Sequence, residues 1–267
     1  QKNKYLCTMQ INFYKYQGTG NDFVMIDNRT NSFPKNNTKL IEFLCDRRFG
    51  IGGDGLILLE NHKKYDFTMV YYNSDGSTST MCGNGGRCLV AFAKQLGIIE
   101  NEAHFEASDG YHFAKFEDNL IALQMIDVTE VKHFNTHDFV YTGSPHHVQL
   151  VSDLTNFDVK NTGKKLRYSD LYDDSGCNIN FVEQENTDTF SVRTYERGVE
   201  DETLSCGTGA TGVAIAMHAT NKTDANRIHI NVLGGKLIIS FVLENEIYKN
   251  VFLTGPAELV FAGSMEV

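Results

Sequence analysis

The sequence has no surplus of positive charge, no cysteine pair spaced C-x-x-C and no apolar run of membrane length. Each absence removes a class of function. Lys and Arg number 24 against 34 Asp and Glu, a formal net charge of −10. That balance argues against nucleic acid or an anionic membrane surface as partner. The six cysteines are Cys7, Cys45, Cys82, Cys88, Cys177 and Cys206. They show no zinc-like spacing with histidine, so no metal site is expected. The longest apolar stretches fall far short of the roughly 20 residues a membrane helix needs. The first ten residues are polar and lack the apolar core of a signal peptide. The chain opens on Gln1, and Met9 is read as a candidate natural start preceded by a leader. A reducing, cytoplasmic compartment is the expectation.

What is present is a repeated glycine turn. Cys82-Gly83-Asn84-Gly85 opens into an apolar stretch of helical length, and so does Cys206-Gly207-Thr208-Gly209. The start of a helix presents unpaired N–H donors, and glycines let an anion such as a carboxylate approach them. A cysteine at such a start should have a lowered pKa, because the helix dipole favours the thiolate. One copy would be a buried small residue beside a tight turn. Two copies point to a thiol on each side of one carboxylate-bearing substrate. Cys88, among Leu89, Phe92 and Ala93, reads as core, and Cys7, Cys45 and Cys177 receive no role.

The rest of the chain repeats around these turns. In the first half, strand-like stretches at 11–16 and 23–27 flank a polar glycine loop, with helical spacing over 39–45. Strands at 56–60 and 66–72 precede the Cys82 helix, and strands at 104–107, 111–117 and 120–126 close the half. The second half runs through strands at 138–141, 147–151, 178–183 and 189–195 to the Cys206 helix. It closes with 227–233, 236–243 and 247–253. The order is an internal duplication of domain size. The expected fold is α+β: two pseudo-symmetric domains, each a β-rich layer around a central helix, with the active site in the cleft between them. The first domain is read as 1–127 and the second as 128–254, joined near 127–135. Residues 255–267 return to the first domain, with 257–262 pairing onto it.

Asn21, Asn73 and Asn178 lie at glycine or strand-end positions, where asparagine ordinarily serves turn chemistry. Glu196-Arg197 would ordinarily be a solvated pair, but it stands just before the Cys206 turn. His146 and His147 are adjacent on a strand-like stretch and point to opposite faces, so they do not share a metal.

These stretches, with Gln17-Gly18-Thr19-Gly20-Asn21-Asp22-Phe23, Gly50-Ile51-Gly52-Gly53-Asp54-Gly55, Asn73-Ser74-Asp75-Gly76 and Glu196-Arg197-Gly198, resemble the diaminopimelate epimerase family in order and over nearly the whole chain. The resemblance implies a pair of pseudo-symmetric domains. It also implies an isomerase that interconverts L,L- and meso-diaminopimelate without a cofactor, in lysine and cell-wall precursor synthesis. Cys82 and Cys206 would be the acid and base. Asn21, Asn73, Asn178, Glu196 and Arg197 would contact substrate, and Gly83, Asn84, Gly207 and Thr208 would bind the reacting carboxylate. His146 and Glu196 would set the thiol pKa values. A homodimer is an assembly open to such a chain. One departure is Gly143-Ser144-Pro145-His146, where the family commonly has Asn before Pro. Ser144 lacks an amide donor, so a direct contact there is expected to be lost or taken by water.

Two opposed thiols suit inversion at a weakly acidic α-carbon, one as thiolate base and the other as thiol acid. Arg197 would fork the distal carboxylate and Glu196 take the distal ammonium. An apolar substrate would leave that pair buried and unmatched, which is costly. A proline-type racemase shares the paired cysteines, but Asn84 and Glu196-Arg197 favour diaminopimelate. A non-catalytic amino-acid-binding protein would need neither thiol. A cysteine-protease nucleophile would leave the second thiol unexplained.

Overall fold

The computed structural model describes residues 9–172 and 174–267. Cys7, and the reading of the residues before Met9, lie outside the described residues. The first half runs β1 (Gln10–Gly18), β2 (Asn21–Asp27), α1 (Thr38–Cys45), β3 (Gly55–Glu60), β4 (Phe67–Asn73) and α2 (Gly83–Gln95). It ends with β5 (Glu102–Ala107), β6 (Gly110–Glu117) and β7 (Leu120–Gln124). After β8 (Val131–His133) the pattern returns as β9 (Asp138–Tyr141), β10 (Pro145–Leu150), α3 (Val159–Arg167), β11 (Asn178–Gln184) and β12 (Thr189–Glu196). Then follow β13 (Asp201–Thr203), α4 (Gly207–Ala219), β14 (Arg227–Val232), β15 (Gly235–Glu244), β16 (Ile247–Gly255) and β17 (Glu258–Glu266).

Strand pairing repeats with the same sense in both halves. β1 pairs antiparallel with β2, β2 parallel with β3, and β3 antiparallel with β4. β4 then pairs parallel with β5, and β5–β6–β7 form antiparallel hairpins. In the second half, β9–β10 is antiparallel, β10–β11 parallel and β11–β12 antiparallel. β12–β14 is parallel, and β14–β15–β16 are hairpins. The duplication read from the sequence is therefore a duplication of topology, and the fold is two similar α+β domains. The halves are joined where β16 pairs with β7 and where β17 pairs along the whole of β1. The return strand is longer than 257–262 and reaches Glu266.

Each half buries its strands on two sides, and the sequence shows why. In β3 the run Leu56-Ile57-Leu58-Leu59 is apolar at every position. Side chains alternate between faces. Ile57 and Leu59 join the core around α2, while Leu56 and Leu58 face Ile41 and Leu44 of α1. In the second half Val182 joins the large core around α4, and Ile179 and Phe181 join a small one with Val159 of α3. The central helices α2 and α4 are thus enclosed by strands, and α1 and α3 pack outside. This strand–helix order leaves both Cys-Gly-x-Gly turns at helix starts inside the molecule.

Helix α3 and the short strands β8 and β13 were absent from the sequence reading. Helix α3 contains Asn161, Thr162 and Gly163, all poor helix formers. It is held by Asp158, whose side chain accepts from the Asn161 N–H at 3.2 Å. Gly163 brings it close to β12, since a Cβ there would fall 2.4 Å from that of Tyr195. Strand β8 occupies the stretch read as a connector.

Candidate active site

The two helices start face to face. An added Cβ at Gly207 would lie 3.6 Å from the Gly83 Cα and 3.6 Å from Asn84 Oδ1. Those are ordinary contact distances, so the two starts touch; what a Cβ at either glycine would crowd is Leu253 Cδ2, at 2.8 Å from Gly207 and 2.9 Å from Gly83. Cys82 and Cys206 are the N-cap residues, and neither side chain caps its helix. The first intrahelical amides are those of Gly86, bonded to the Cys82 carbonyl at 2.7 Å, and Ala210, bonded to the Cys206 carbonyl at 2.9 Å. The amides ahead of them are the unpaired donors of a helix start. Those of Asn84 and Gly85 turn toward the Cys82 sulfur, and that of Gly209 toward the Cys206 sulfur.

The thiols differ from the sequence expectation. Both are free. Burial pushes the Cys82 and Cys206 pKa values up, and the Glu196 charge pushes both further. The helix-start amides pull the other way but do not prevail. A helix dipole is legible in a sequence, whereas the desolvation that overrides it is not. Both thiols are therefore held toward the protonated form.

Asn21 and Asn84 link the halves. Asn84 Nδ2 donates to Asn21 Oδ1 (3.2 Å) and to the Ser205 carbonyl (3.2 Å). The Cys82 thiol points to the same Asn21 oxygen at 3.7 Å. Asn21 is aimed by an acidic cluster: its Nδ2 donates to Asp54, which shares Arg47 with Asp22. Burial would raise the Asp22 pKa, but Arg47 and Lys15 hold it down to about 2.

On the opposite wall, Asn178 Oδ1 accepts the Arg197 N–H at 2.9 Å, and its Nδ2 donates to Ser144 Oγ at 2.9 Å. Ser144 thus serves as an acceptor for Asn178. Glu196 is largely enclosed, accepts from Thr203 Oγ1 at 2.8 Å, and has its pKa raised by burial. Arg197 is exposed, with Nη1 at 3.3 Å from the Ser175 carbonyl. Glu196 and Arg197 are therefore not buried together: only the glutamate is enclosed. Thr208 Oγ1 lies 3.5 Å from the Cys206 sulfur.

Two expected residues are not joined to the thiols. Asn73 ends β4 and donates to Ser77 Oγ at 3.1 Å. His146 lies in β10, fully buried, with Nδ1 at 3.2 Å from Asn180 Nδ2. Burial and the nearby Arg197 charge push its pKa down to about 3, so it is neutral. Its ring bonds Asn180 rather than either sulfur, and the charge acting on both thiols is that of Glu196. His147 turns the other way, to the Tyr172 hydroxyl at 2.6 Å. Among the described residues no group of three or more His, Cys, Asp or Glu is placed to hold a metal ion, and no helix is long and apolar enough to cross a membrane.

Sequence reasoning passed over Asn180, which braces the Cys206 turn. Its amide donates to the His147 carbonyl at 2.8 Å and accepts from Thr194 Oγ1 at 2.9 Å. A Cβ on Gly209 would fall 2.5 Å from Asn180 Oδ1 and 3.3 Å from the Cys206 sulfur. Gly209→Ala should lower stability by about 1–3 kcal/mol, the range for overpacking, and displace Cys206. Urea denaturation checks this, and an unchanged midpoint would mean that Asn180 is free to yield.

Two duplicated α+β domains with opposed central-helix starts define a fold class that solved structures share. A hydroxyproline epimerase from Agrobacterium vitis superimposes with a TM-score of 0.68 at 14% identity, over 97% of this chain and 93% of that one. A phenazine biosynthesis protein of the PhzF family from Bacillus anthracis gives 0.77 at 14% identity, over 97% and 99%. At such identities the likeness is one of fold. Within the class, the diaminopimelate epimerase family model matches residues 13–128 and 139–260. The diaminopimelate epimerase of Flavobacterium psychrophilum is 66% identical over 252 residues, 94% of this chain and 98% of that protein. That of Chlorobaculum tepidum is 40% identical over 258 residues, 93% and 98%. The chain belongs to the diaminopimelate epimerase family, and it is an isomerase.

Proposed function

We propose that the protein converts L,L-diaminopimelate to meso-diaminopimelate by a cofactor-independent, two-thiol mechanism. The observation that carries this reading is the opposition of two helix starts at Gly83 and Gly207, each with a cysteine at its N-cap. A substrate α-carboxylate between them would receive the free amides of both turns, which stabilise charge as it develops on deprotonation. One thiolate removes the α-proton, and the other thiol returns a proton from the opposite face. The roles exchange with the direction of reaction. Asn21 and Asn84 frame the Cys82 side, and Asn178 and Glu196 the Cys206 side. Asn73 contacts substrate from the end of β4. Glu196 takes the distal ammonium, and the exposed Arg197 closes over the distal carboxylate.

The wider setting follows from that chemistry: supply of meso-diaminopimelate for lysine and peptidoglycan precursors, in the cytoplasm. Domains divide at 127/128, with 255–267 belonging to the first, and a homodimer is the proposed assembly. The small substrate is the proposed partner, with no nucleic acid involved.

Purified, reduced protein incubated with L,L-diaminopimelate should yield the meso isomer, resolved by chiral chromatography. The activity should survive exhaustive chelation and dialysis. Restoration of lost activity by a metal or pyridoxal phosphate would reject cofactor independence. Turnover of proline in place of diaminopimelate would reject the substrate.

A further inference from the structure

Arg87 is fully buried and heads the large side chains that are entirely enclosed. Its position one turn into α2, four residues after Gly83, sends the side chain back toward the helix start. There Nη2 donates to Asn84 Oδ1 (3.0 Å) and Thr19 Oγ1 (3.4 Å), and Nη1 to the Gly83 carbonyl (3.4 Å). Nε faces the Pro256 carbonyl at 3.5 Å. Every one of these acceptors is neutral. Among the described residues no carboxylate lies within ion-pair distance of Arg87. A guanidinium does not discharge in a protein, and a buried charge with no counter-charge is unfavourable by several kcal/mol. The four hydrogen bonds offset part of that cost, and an anion close by would offset more.

We propose that Arg87 is a positioning residue of the reaction: a fixed positive charge directly behind the Gly83–Asn84 turn, balanced by the anions that gather in front of it. Those anions are the Cys82 thiolate and the substrate carboxylate, so the inference rests on the two-thiol reading given above.

Two independent features support it. The first is geometric. By occupying Asn84 Oδ1, Arg87 forces the Asn84 amide to present Nδ2 to Asn21 Oδ1 and the Ser205 carbonyl. Thr19, which Arg87 also touches, donates to Ser205 Oγ at 2.8 Å. One guanidinium thus fixes the turn, Asn84 and the segment preceding Cys206. The second is electrostatic. The groups around Cys82 are Glu196 from β12, Tyr71 from β4, Cys88 from its own helix and Cys206 across the cleft. Glu196 is an acid that opposes a thiolate, and the other three are neutral acids. Arg87 is the cation that favours it.

The test compares Arg87→Gln, which keeps donors and loses the charge, with Arg87→Lys, which keeps the charge and loses the fork. Both are made in the full chain. The first readout is the pH midpoint of Cys82 alkylation by iodoacetamide, followed by peptide mapping in a Cys206→Ala background. The second is kcat and KM for diaminopimelate with both thiols present. Arg87→Gln should raise the midpoint by about one pH unit, a modest nearby-charge effect. It should lower kcat by about 100-fold, the scale of a lost preorganised charge contact, with a smaller change in KM. Arg87→Lys should keep the midpoint near that of the parent. A parent-like midpoint in Arg87→Gln overturns the proposal. So does an equal shift in both variants, which would make the role purely geometric, and so does failure of Arg87→Gln to fold. The alkylation midpoint reads the charge without requiring turnover. An inactive wild type, or turnover by Cys82→Ala, would therefore reject the two-thiol reading, while a normal Arg87→Gln beside an active wild type rejects the Arg87 role alone.

Discussion

Replacing Cys82 or Cys206 singly with alanine should abolish epimerisation in both variants to a similar extent. Inversion needs a base on one face and an acid on the other, and in the proposed mechanism each helix start supplies one of them. The expected loss is about 10²–10⁴-fold in kcat, the span of a positioned acid or base. Folding should be little changed, since neither side chain caps its helix and the volume removed is small. The remaining thiol can still exchange a proton with the α-carbon on its own face if the site stays assembled. A stereoisomer assay beside a thermal melt separates lost chemistry from lost fold. Substantial turnover by either variant would remove its thiol from the mechanism.

Arg197→Lys should reduce kcat/KM for diaminopimelate by roughly 1.5–3 kcal/mol, the range for a hydrogen bond to a charged group. The residue is exposed, and the Asn178 side chain holds its backbone N–H. Its base is therefore fixed, while the exposed guanidinium makes one long bond, to the Ser175 carbonyl at 3.3 Å, that a ligand carboxylate can displace. Lysine keeps the charge but cannot form the planar two-pronged contact with a carboxylate. Because the bound N–H belongs to the backbone, the substitution leaves the Asn178 contact intact and stability should hold. Steady-state kinetics check this, and wild-type kcat/KM would place the distal carboxylate elsewhere.

Much of the architecture was legible because glycine and alternation mark it. Two Cys-Gly-x-Gly turns announce two helix starts, and the all-apolar run Leu56 to Leu59 announces a strand covered on both faces. Gly110 and the Asp118–Asn119 pair place the hairpins that close the first half. Helix α3 was illegible because Gly163 reads as a helix breaker, while in the fold it is what allows the helix to sit against Tyr195. Within the candidate site, Asn21, Asn84 and the Cys82 thiol meet. What the motifs hide is burial. The thiol pKa values rise where the helix dipole alone says they fall, and His146 is neutral and bonded to Asn180. Arg87 passes unnoticed inside a glycine motif until its enclosure is seen. Its only sequence signal is a lone cation four residues after the helix-start glycine, among small and apolar neighbours.

The measurement that bears most directly on the two-thiol account is the fate of solvent deuterium at early conversion. In deuterated water the donor thiol has exchanged with solvent before substrate arrives, while the base holds the proton taken from the substrate. Product formed first should carry deuterium at the inverted carbon, and recovered L,L-diaminopimelate should carry little. Mass spectrometry of the separated isomers reads both. Deuterium entering substrate and product together from the first turnovers would mean that one exchangeable base serves both faces, and would contradict the account.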